Sequence, residues 1–294
     1  MSFIKSEKIT YRYPLLDDID AFEGDTKNFE NSKEQKIERP ALNKVDLEVE
    51  EGQFVCVLGK NGSGKSTFAK MLNALLVPDE GCVWIDGMKT SAEELIWEIR
   101  KNVGMVFQNP DNQIIGSVVD EEVAFGLENL GVPSEEIKKS VDGALKEVRL
   151  QGYDKVSPNK LSGGQKQRLA VAGVLAMQPK CIVLDESTAM LDPKGRKEVM
   201  DTVKRLNKEK NITIICITHF MEEAIDADYI FVMNEGEVKM QGTPKEIFTK
   251  EEEIEKLGLV LPQICQIAKE LRKEGMDIPH GIISEEELKK AIEQ

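Results

Sequence analysis

One run of eight residues constrains the fold of this chain more than any other feature: residues 59–66 read GKNGSGKS. The run matches G-x-x-x-x-G-K-[ST], in which glycines let backbone N–H groups converge on phosphate oxygens and the lysine reaches the β- and γ-phosphates. It lies between the apolar residues 54–58, which have the character of a strand, and a helical pattern that begins at Lys65. This order predicts a parallel α/β sheet with a phosphate-binding loop at its edge.

The loop supplies most of the candidate nucleotide ligands. We expect Lys65 to bind the β- and γ-phosphates, Ser66 to coordinate magnesium and Thr67 to contact the α-phosphate. The other candidate nucleotide-binding residues of the loop are Gly59, Asn61, Gly62, Ser63 and Gly64.

A second apolar strand, residues 181–184, leads into two adjacent carboxylates, Asp185 and Glu186. Ligands bind at the carboxyl edge of such sheets, and neighbouring strand residues point to opposite sides. We therefore expect Asp185 to hold magnesium through water and Glu186 to act as the general base on the attacking water. A solvated turn is the competing interpretation of an isolated Asp-Glu pair, and the phosphate-binding loop favours the catalytic one.

A third motif, LSGGQ at residues 161–165, begins another helical pattern. Its serine and exposed glycine amides are suited to bind an anion, although an ordinary helix cap has the same composition. The motif stands far along the chain from the first phosphate-binding element.

With these three motifs in this order, the chain resembles the nucleotide-binding subunits of ABC transporters over about residues 3–250. The resemblance implies an α/β fold of the P-loop NTPase (ABC ATPase) type, with a RecA-like mixed sheet core. It also implies an inserted α-helical subdomain at about 109–177 and a nucleotide-binding domain over 1–250. A C-terminal helical extension would follow at 251–294.

The same resemblance implies ATP and Mg2+ as ligands and a head-to-tail dimer with two ATP molecules between its subunits. In that family the LSGGQ motif binds the γ-phosphate of the ATP held by the partner. The residues of this chain that would complete the partner's site are Ser162, Gly163, Gly164 and Gln165.

Four further site residues follow from the resemblance. Gln108 would contact magnesium and couple the site to the membrane, Asp192 would contact the partner in the dimer, and His219 would sense the γ-phosphate. Surface-turn and helix-cap roles are the competing interpretations of Gln108 and Asp192. Tyr13 would stack on adenine, and Tyr11, two residues away on the same strand face, is the alternative.

Residues 108–113, QNPDNQ, resemble a segment of the energy-coupling factor ATPases, although a tight surface turn has a similar composition. Residues 161–168 and 185–192 are most similar to the first of that system's paired ATPases, which serve vitamin or cobalt importers. The implied partners are a second ABC ATPase subunit, with a heterodimer favoured, an integral membrane coupling subunit and a substrate-capture membrane subunit. The implied location is peripheral, on the cytoplasmic face of the membrane. Another type of ABC transporter and a non-transport ABC ATPase are the alternatives.

The net charge bears on the choice of partner, and one acidic stretch departs in length from the family pattern. The formal net charge of -14 argues against nucleic acid as a partner, because non-specific binding to nucleic acid requires a basic surface. The acidic stretch at about 15–40 is longer than the usual link between the first strands of the family, and we expect a tolerated loop there.

Overall fold

Ten strands form two sheets in the computed structural model, which describes residues 2–14 and 39–293. In chain order they are β1 (Ser2–Tyr11), β2 (Leu42–Glu50), β3 (Phe54–Leu58), β4 (Glu80–Ile85), β5 (Met88–Lys89), β6 (Val103–Val106), β7 (Cys181–Asp185), β8 (Thr213–Thr218), β9 (Tyr229–Asn234) and β10 (Glu237–Gly242). The first sheet has the antiparallel order β2-β1-β4-β5. The second has the order β10-β9-β3-β8-β7-β6, in which only the β9–β10 pair is antiparallel. The expected mixed sheet is confirmed.

The central strands of the second sheet are buried on both faces, as their continuous apolar sequences require. Successive side chains of β3 enter different cores. Cys56 and Leu58 pack with the helical part of the chain, whereas Val55 and Val57 pack beneath the antiparallel sheet. Packing on both faces therefore holds β3 in place. The phosphate-binding loop, which begins at the carboxyl end of β3, is positioned by this packing.

Ten helices accompany the sheets within the described residues. They are α1 (Lys65–Leu72), α2 (Ile96–Asn102), α3 (Val119–Asn129), α4 (Ser134–Glu147), α5 (Gly163–Ala176), α6 (Pro193–Lys210), α7 (Pro244–Thr249), α8 (Glu251–Lys256), α9 (Gln263–Lys273) and α10 (Glu285–Ile292). Short 3-10 turns lie at Glu93–Leu95, Pro110–Asn112, Pro158–Lys160 and Met221–Ala224. Helices α3 to α5 lie between β6 and β7 in the chain, where the helical insertion is expected.

Helix α5 approaches β6 at a glycine. A Cβ built on Gly104 would lie 2.0 Å from Cγ1 of Val174, a buried residue of α5. Because a real Cβ cannot approach another carbon so closely, the absence of a side chain at Gly104 permits this contact.

We expect Gly104→Ala to lower the free energy of unfolding by about 1–3 kcal/mol, because the added methyl group overpacks the contact with Val174. Urea titration measures the loss. Val174→Ala in the same chain should recover part of it, since the two residues are in direct contact. Gly143→Ala on α4 is the matched control, because a Cβ there meets nothing within 4 Å. If Gly104→Ala were as stable as this control, the proposed overpacking would be wrong.

The C-terminal helices form a small core of their own, made of Ala268, Ile278, Ile282 and Leu288. Arg272 and His280 both reach the buried carboxylate of Glu251, His280 with Nδ1 at 3.5 Å from Oε1. The extension also approaches the phosphate-binding loop, since a Cβ on Gly258 would lie 1.9 Å from Nζ of Lys60.

The acidic insertion expected at about 15–40 lies outside the described residues except for its last two positions. Within the described part of the chain, no helix combines the length and the apolar character needed to cross a membrane.

Candidate active site

The phosphate-binding loop joins the carboxyl end of β3 to the first residue of α1. Gly64 caps the helix with φ 101°, a left-handed conformation that favours glycine. A Cβ there would lie 2.5 Å from the carbonyl oxygen of Ala41, so the loop backbone packs too closely for a side chain. The β9–β10 turn holds the loop from the other side, since the Gly236 N–H donates to the Ser63 carbonyl at 3.1 Å.

Lys65 folds back into this loop. Its ammonium donates to the carbonyl oxygens of Gly59 at 2.9 Å and Lys60 at 3.0 Å, and only 3% of the side chain is exposed. Its Nζ also lies 3.4 Å from Oε1 of Glu186. The loop therefore encloses a cation in the position where the motif requires one for phosphate oxygens.

Ser66 and Asp185 meet beside this cation. The Ser66 hydroxyl donates to Oδ1 of Asp185 at 2.8 Å, although the two residues are far apart in the chain. Burial raises the pKa of the Asp185 carboxyl, and the hydrogen bond from Ser66 opposes this rise. Hydroxyl and carboxylate oxygens are the ligands that Mg2+ prefers. A divalent cation beside Asp185 would also favour its ionised form, so this oxygen pair fits magnesium.

Glu186 has the left-handed conformation, with φ 48°, which is uncommon for a residue with a side chain. Its N–H donates to the carbonyl of Ile217 on β8 at 2.9 Å. Its carboxylate lies between Lys65 and His219, whose Nδ1 is 3.5 Å from Oε2. The sequence-predicted residues Lys65, Glu186 and His219 are thus brought together from three separate loops.

Tyr13, just after the end of β1, contacts helix α1, which begins at Lys65. Its hydroxyl lies 3.1 Å from Oγ1 of Thr67, in hydrogen-bonding range, and 48% of the residue is exposed. Tyr11 instead packs against the core beneath the antiparallel sheet and meets Tyr13 edge to face, with ring centroids 5.1 Å apart. Of the two rings, Tyr13 is the more accessible for stacking on a base.

Gln108 is exposed just after β6, and it makes no hydrogen bond to the other site residues within the described chain. Two glutamines that the sequence analysis missed hold the preceding residue instead. Gln113 accepts from the Phe107 N–H at 3.2 Å, and Gln167 donates to the Phe107 carbonyl at 3.1 Å. A glutamine that binds backbone leaves no periodic signal in a sequence, so only the structure reveals this role.

The LSGGQ motif begins α5 with a capping box. Ser162 accepts from the Gln165 N–H at 3.3 Å, and Gln165 accepts from the Ser162 N–H at 2.9 Å. Asp192 caps α6 in a similar way, since its Oδ1 accepts from the Gly195 N–H at 3.0 Å. The helix-cap interpretations of these motifs are therefore observed. Within the described residues, neither motif hydrogen-bonds to Lys65 or Glu186.

Comparison with known proteins agrees with this geometry. The sequence model of the family described as ABC transporter matches residues 42–189. The chain belongs to the ABC transporter family. The expected P-loop NTPase fold of an ABC ATPase is confirmed by this match and by the solved structures below.

Curated relatives narrow the assignment within the ABC ATPases. The chain is 55% identical over 249 residues to the energy-coupling factor transporter ATP-binding protein EcfA1 of Caldanaerobacter subterraneus subsp. tengcongensis, covering 85% of this chain and 90% of that protein. It is 50% identical over 291 residues to EcfA1 of Clostridium perfringens, covering 99% and 98%. The expected similarity to the first energy-coupling factor ATPase is confirmed.

Solved ABC ATPase structures superpose on most of the chain. CbiO1 of Clostridium perfringens, part of the ABC transporter complex cbiONQ, gives a TM-score of 0.73 at 36% identity and covers 91% of this chain and 99% of that one. The ATP-binding cassette MJ0796, in a dimeric structure bound to ADP and Pi, gives a TM-score of 0.68 at 31% identity, with coverage of 82% and 98%.

Proposed function

We propose that this ABC ATPase is the MgATP-hydrolysing subunit of an energy-coupling factor importer for a vitamin or metal ion. It would work in a dimer with a second ABC ATPase, bound to membrane subunits at the cytoplasmic face. The observation that carries the proposal is the convergence of Lys65, the Ser66–Asp185 pair and the Glu186–His219 pair at one edge of the sheet. The relatives that are named energy-coupling factor transporter ATP-binding proteins support the importer assignment.

Binding begins with the phosphate-binding loop. The three N–H donors of Lys65, now shared between two carbonyl oxygens and Glu186, would turn to the β- and γ-phosphates. The remaining loop residues would direct their backbone N–H groups to the phosphates, and Tyr13 would stack on adenine. Ser66 and Asp185 would hold magnesium, with Gln108 as a further ligand. When bound, magnesium neutralises charge on the phosphates.

Hydrolysis then depends on Glu186. Its carboxylate would accept the proton of the attacking water as general base. His219 lies 3.5 Å away and would orient this carboxylate and sense the γ-phosphate. Catalysis in this family of reactions is mainly positioning and charge stabilisation, which suits a site whose side chains are held by three loops.

Each site would be completed by another subunit. Residues Ser162 to Gln165 would bind the γ-phosphate of the partner's ATP, and Asp192 would contact the partner across the dimer. The exposed N-terminus of α5 suits an anion, because its first N–H groups and the helix dipole point outward. The dimeric state of the related MJ0796 cassette supports this arrangement. We assign residues 1–250 to the ATPase domain and 251–294 to the extension.

A groove beside the nucleotide site suits a membrane subunit. It has a volume of about 340 Å3 and lies between β6, α3 and α5, with Leu75 and Phe125 on its rim, each 45% exposed. Gln113, which accepts from the N–H of Phe107, the residue before Gln108, also lines it. A helix of the coupling subunit that fills this groove would touch the segment that carries Gln108.

We expect Phe125→Asp to release the membrane subunit while the second ATPase stays bound, because the substitution places a charge in the apolar groove. The measurement is affinity purification of the tagged chain from native membranes in mild detergent. Leu130→Asp at the end of the same helix is the control, since Leu130 is also exposed but does not line the groove. Recovery of only a lone soluble partner with the wild-type chain would contradict the importer assignment. Retention of the membrane protein by Phe125→Asp would contradict the groove assignment alone.

A further inference from the structure

A buried hydrogen bond joins the loop that carries Glu186 to the loop that carries His219. Oγ1 of Thr188 donates to Oε1 of Glu223 at 2.5 Å. Both residues are removed from solvent, with 2% of Thr188 and 5% of Glu223 exposed. Thr188 lies two residues after Glu186, and Glu223 lies in the 3-10 turn that follows His219.

Glu223 is an unusual carboxylate for a protein interior. Within residues 2–14 and 39–293 it forms no ion pair with lysine, arginine or histidine under a 4.0 Å limit. Sγ of Cys216 lies 3.9 Å from Oε2, and Sγ of Cys56 donates to the main-chain carbonyl of Glu223 at 3.7 Å. A buried carboxylate costs free energy unless it is hydrogen-bonded, so the bond from Thr188 matters to this group.

A second contact, nearer the surface, joins the loop that carries His219 to α6, the helix that follows the loop that carries Glu186. The guanidinium of Arg196, in the first turns of α6, lies 3.3 Å from the centroid of the Phe220 ring. Phe220 in turn packs against His219, with ring centroids 4.2 Å apart. The inner bond therefore joins the two loops directly, and the outer stack joins the His219 loop to the helix that follows the Glu186 loop.

This fixation bears on Glu186 because its backbone is strained. A residue with a side chain at φ 48° persists only where its surroundings hold it. The Glu186 carbonyl accepts from the Ala189 N–H at 3.0 Å, and the Thr188 carbonyl accepts from the Leu191 N–H at 3.1 Å. Thr188 is thus part of the tight turn that keeps Glu186 in place, and Glu223 anchors it from the interior.

We propose that Thr188 and Glu223 form a positioning pair that holds the Glu186 carboxylate in register with His219 and Lys65. This role for the pair rests on the function proposed above. It adds two residues that influence kcat without binding ATP. Neither side chain would touch ATP. Releasing Thr188 would let the Glu186 turn relax, while the phosphate-binding loop, which belongs to other strands, would keep its shape.

The test is the rate of ATP hydrolysis by the complex purified from membranes. We expect Thr188→Val to lower kcat by about tenfold to a hundredfold, because small displacements of catalytic groups have effects of this size. The KM for ATP should stay within about twofold of the wild type, since binding is left intact. Thr188→Ser keeps the hydroxyl and should restore kcat. Glu223→Leu, which removes the acceptor, should also lower kcat, and the double variant with Thr188→Val should be no slower than the slower single variant.

Thr202→Val is the matched control. Thr202 is also a buried threonine, 4% exposed, and its hydroxyl donates at 2.8 Å to the Glu198 carbonyl within α6, away from the two loops. It should keep the wild-type kcat. Wild-type kcat in Thr188→Val, equal losses in Thr188→Val and Thr202→Val, or failure of Thr188→Ser to restore the rate would each overturn the positioning pair. A wild-type complex that hydrolyses no ATP would instead overturn the proposed function, and the pair's role with it.

Discussion

Glu186→Gln is expected to lower kcat for ATP hydrolysis by about 10²- to 10⁴-fold, which is the usual contribution of a general base. The amide keeps the size of the carboxylate but cannot accept the proton of the attacking water. ATP binding should survive, because the substitution leaves Lys65 and the loop that encloses it in place. The variant should therefore accumulate as a closed, ATP-bound dimer. Steady-state phosphate release and size-exclusion chromatography with ATP measure the two effects.

The matched control for this variant is Glu222→Gln. Glu222 is an exposed glutamate in the turn that follows His219, and its side chain has no hydrogen bond or ion pair among the residues that the structure describes. Glu222→Gln makes the same chemical change as Glu186→Gln, and Glu222 lies close in sequence to the site residue His219. Ordinary turnover by Glu186→Gln, comparable to that of Glu222→Gln, would rule out Glu186 as the general base.

The core of the candidate site was predictable because its residues occupy strand ends. Glycines and a lysine after one buried strand, and two carboxylates after another, must meet if the strands are parallel neighbours in one sheet. In the structure β8 lies between β3 and β7, and the side chains still meet, Ser66 on Asp185 and Lys65 beside Glu186.

Other features depend on contacts that no local pattern records. Thr188 and Glu223 lie 35 positions apart, and each is unremarkable alone. The role of Gln113 and Gln167 in holding Phe107 depends on how α5 packs against the end of β6. The alternating burial of β2 differs from the continuous burial of β3, β7 and β8 and so distinguishes the two sheets, whereas the order of the strands within each sheet depends on tertiary packing. The role proposed for LSGGQ requires two chains, and one chain shows only the helix cap.

Lys65→Ala is expected to weaken ATP binding by about one to two orders of magnitude. A hydrogen bond to a charged group contributes about 1.5–3 kcal/mol, and about 1.4 kcal/mol corresponds to a tenfold change in Kd. The variant also loses the cation 3.4 Å from Glu186, so two negative groups, this carboxylate and the γ-phosphate, would face each other without it. Titration with a fluorescent ATP analogue in the presence of magnesium measures the affinity.

Lys60→Ala separates this effect from a general loss of positive charge. Lys60 belongs to the same loop, but its side chain is exposed and lies against Gly258 of the extension, and only its carbonyl oxygen accepts from Lys65. Removing it deletes one unit of charge while leaving that carbonyl in place, so the affinity should fall by less than about threefold, as expected for an exposed charge. Equal losses in the two variants would mean that the loop attracts ATP by net charge alone. A large loss confined to Lys65→Ala, together with intact binding in Glu186→Gln, would separate the group that binds phosphate from the group that activates water.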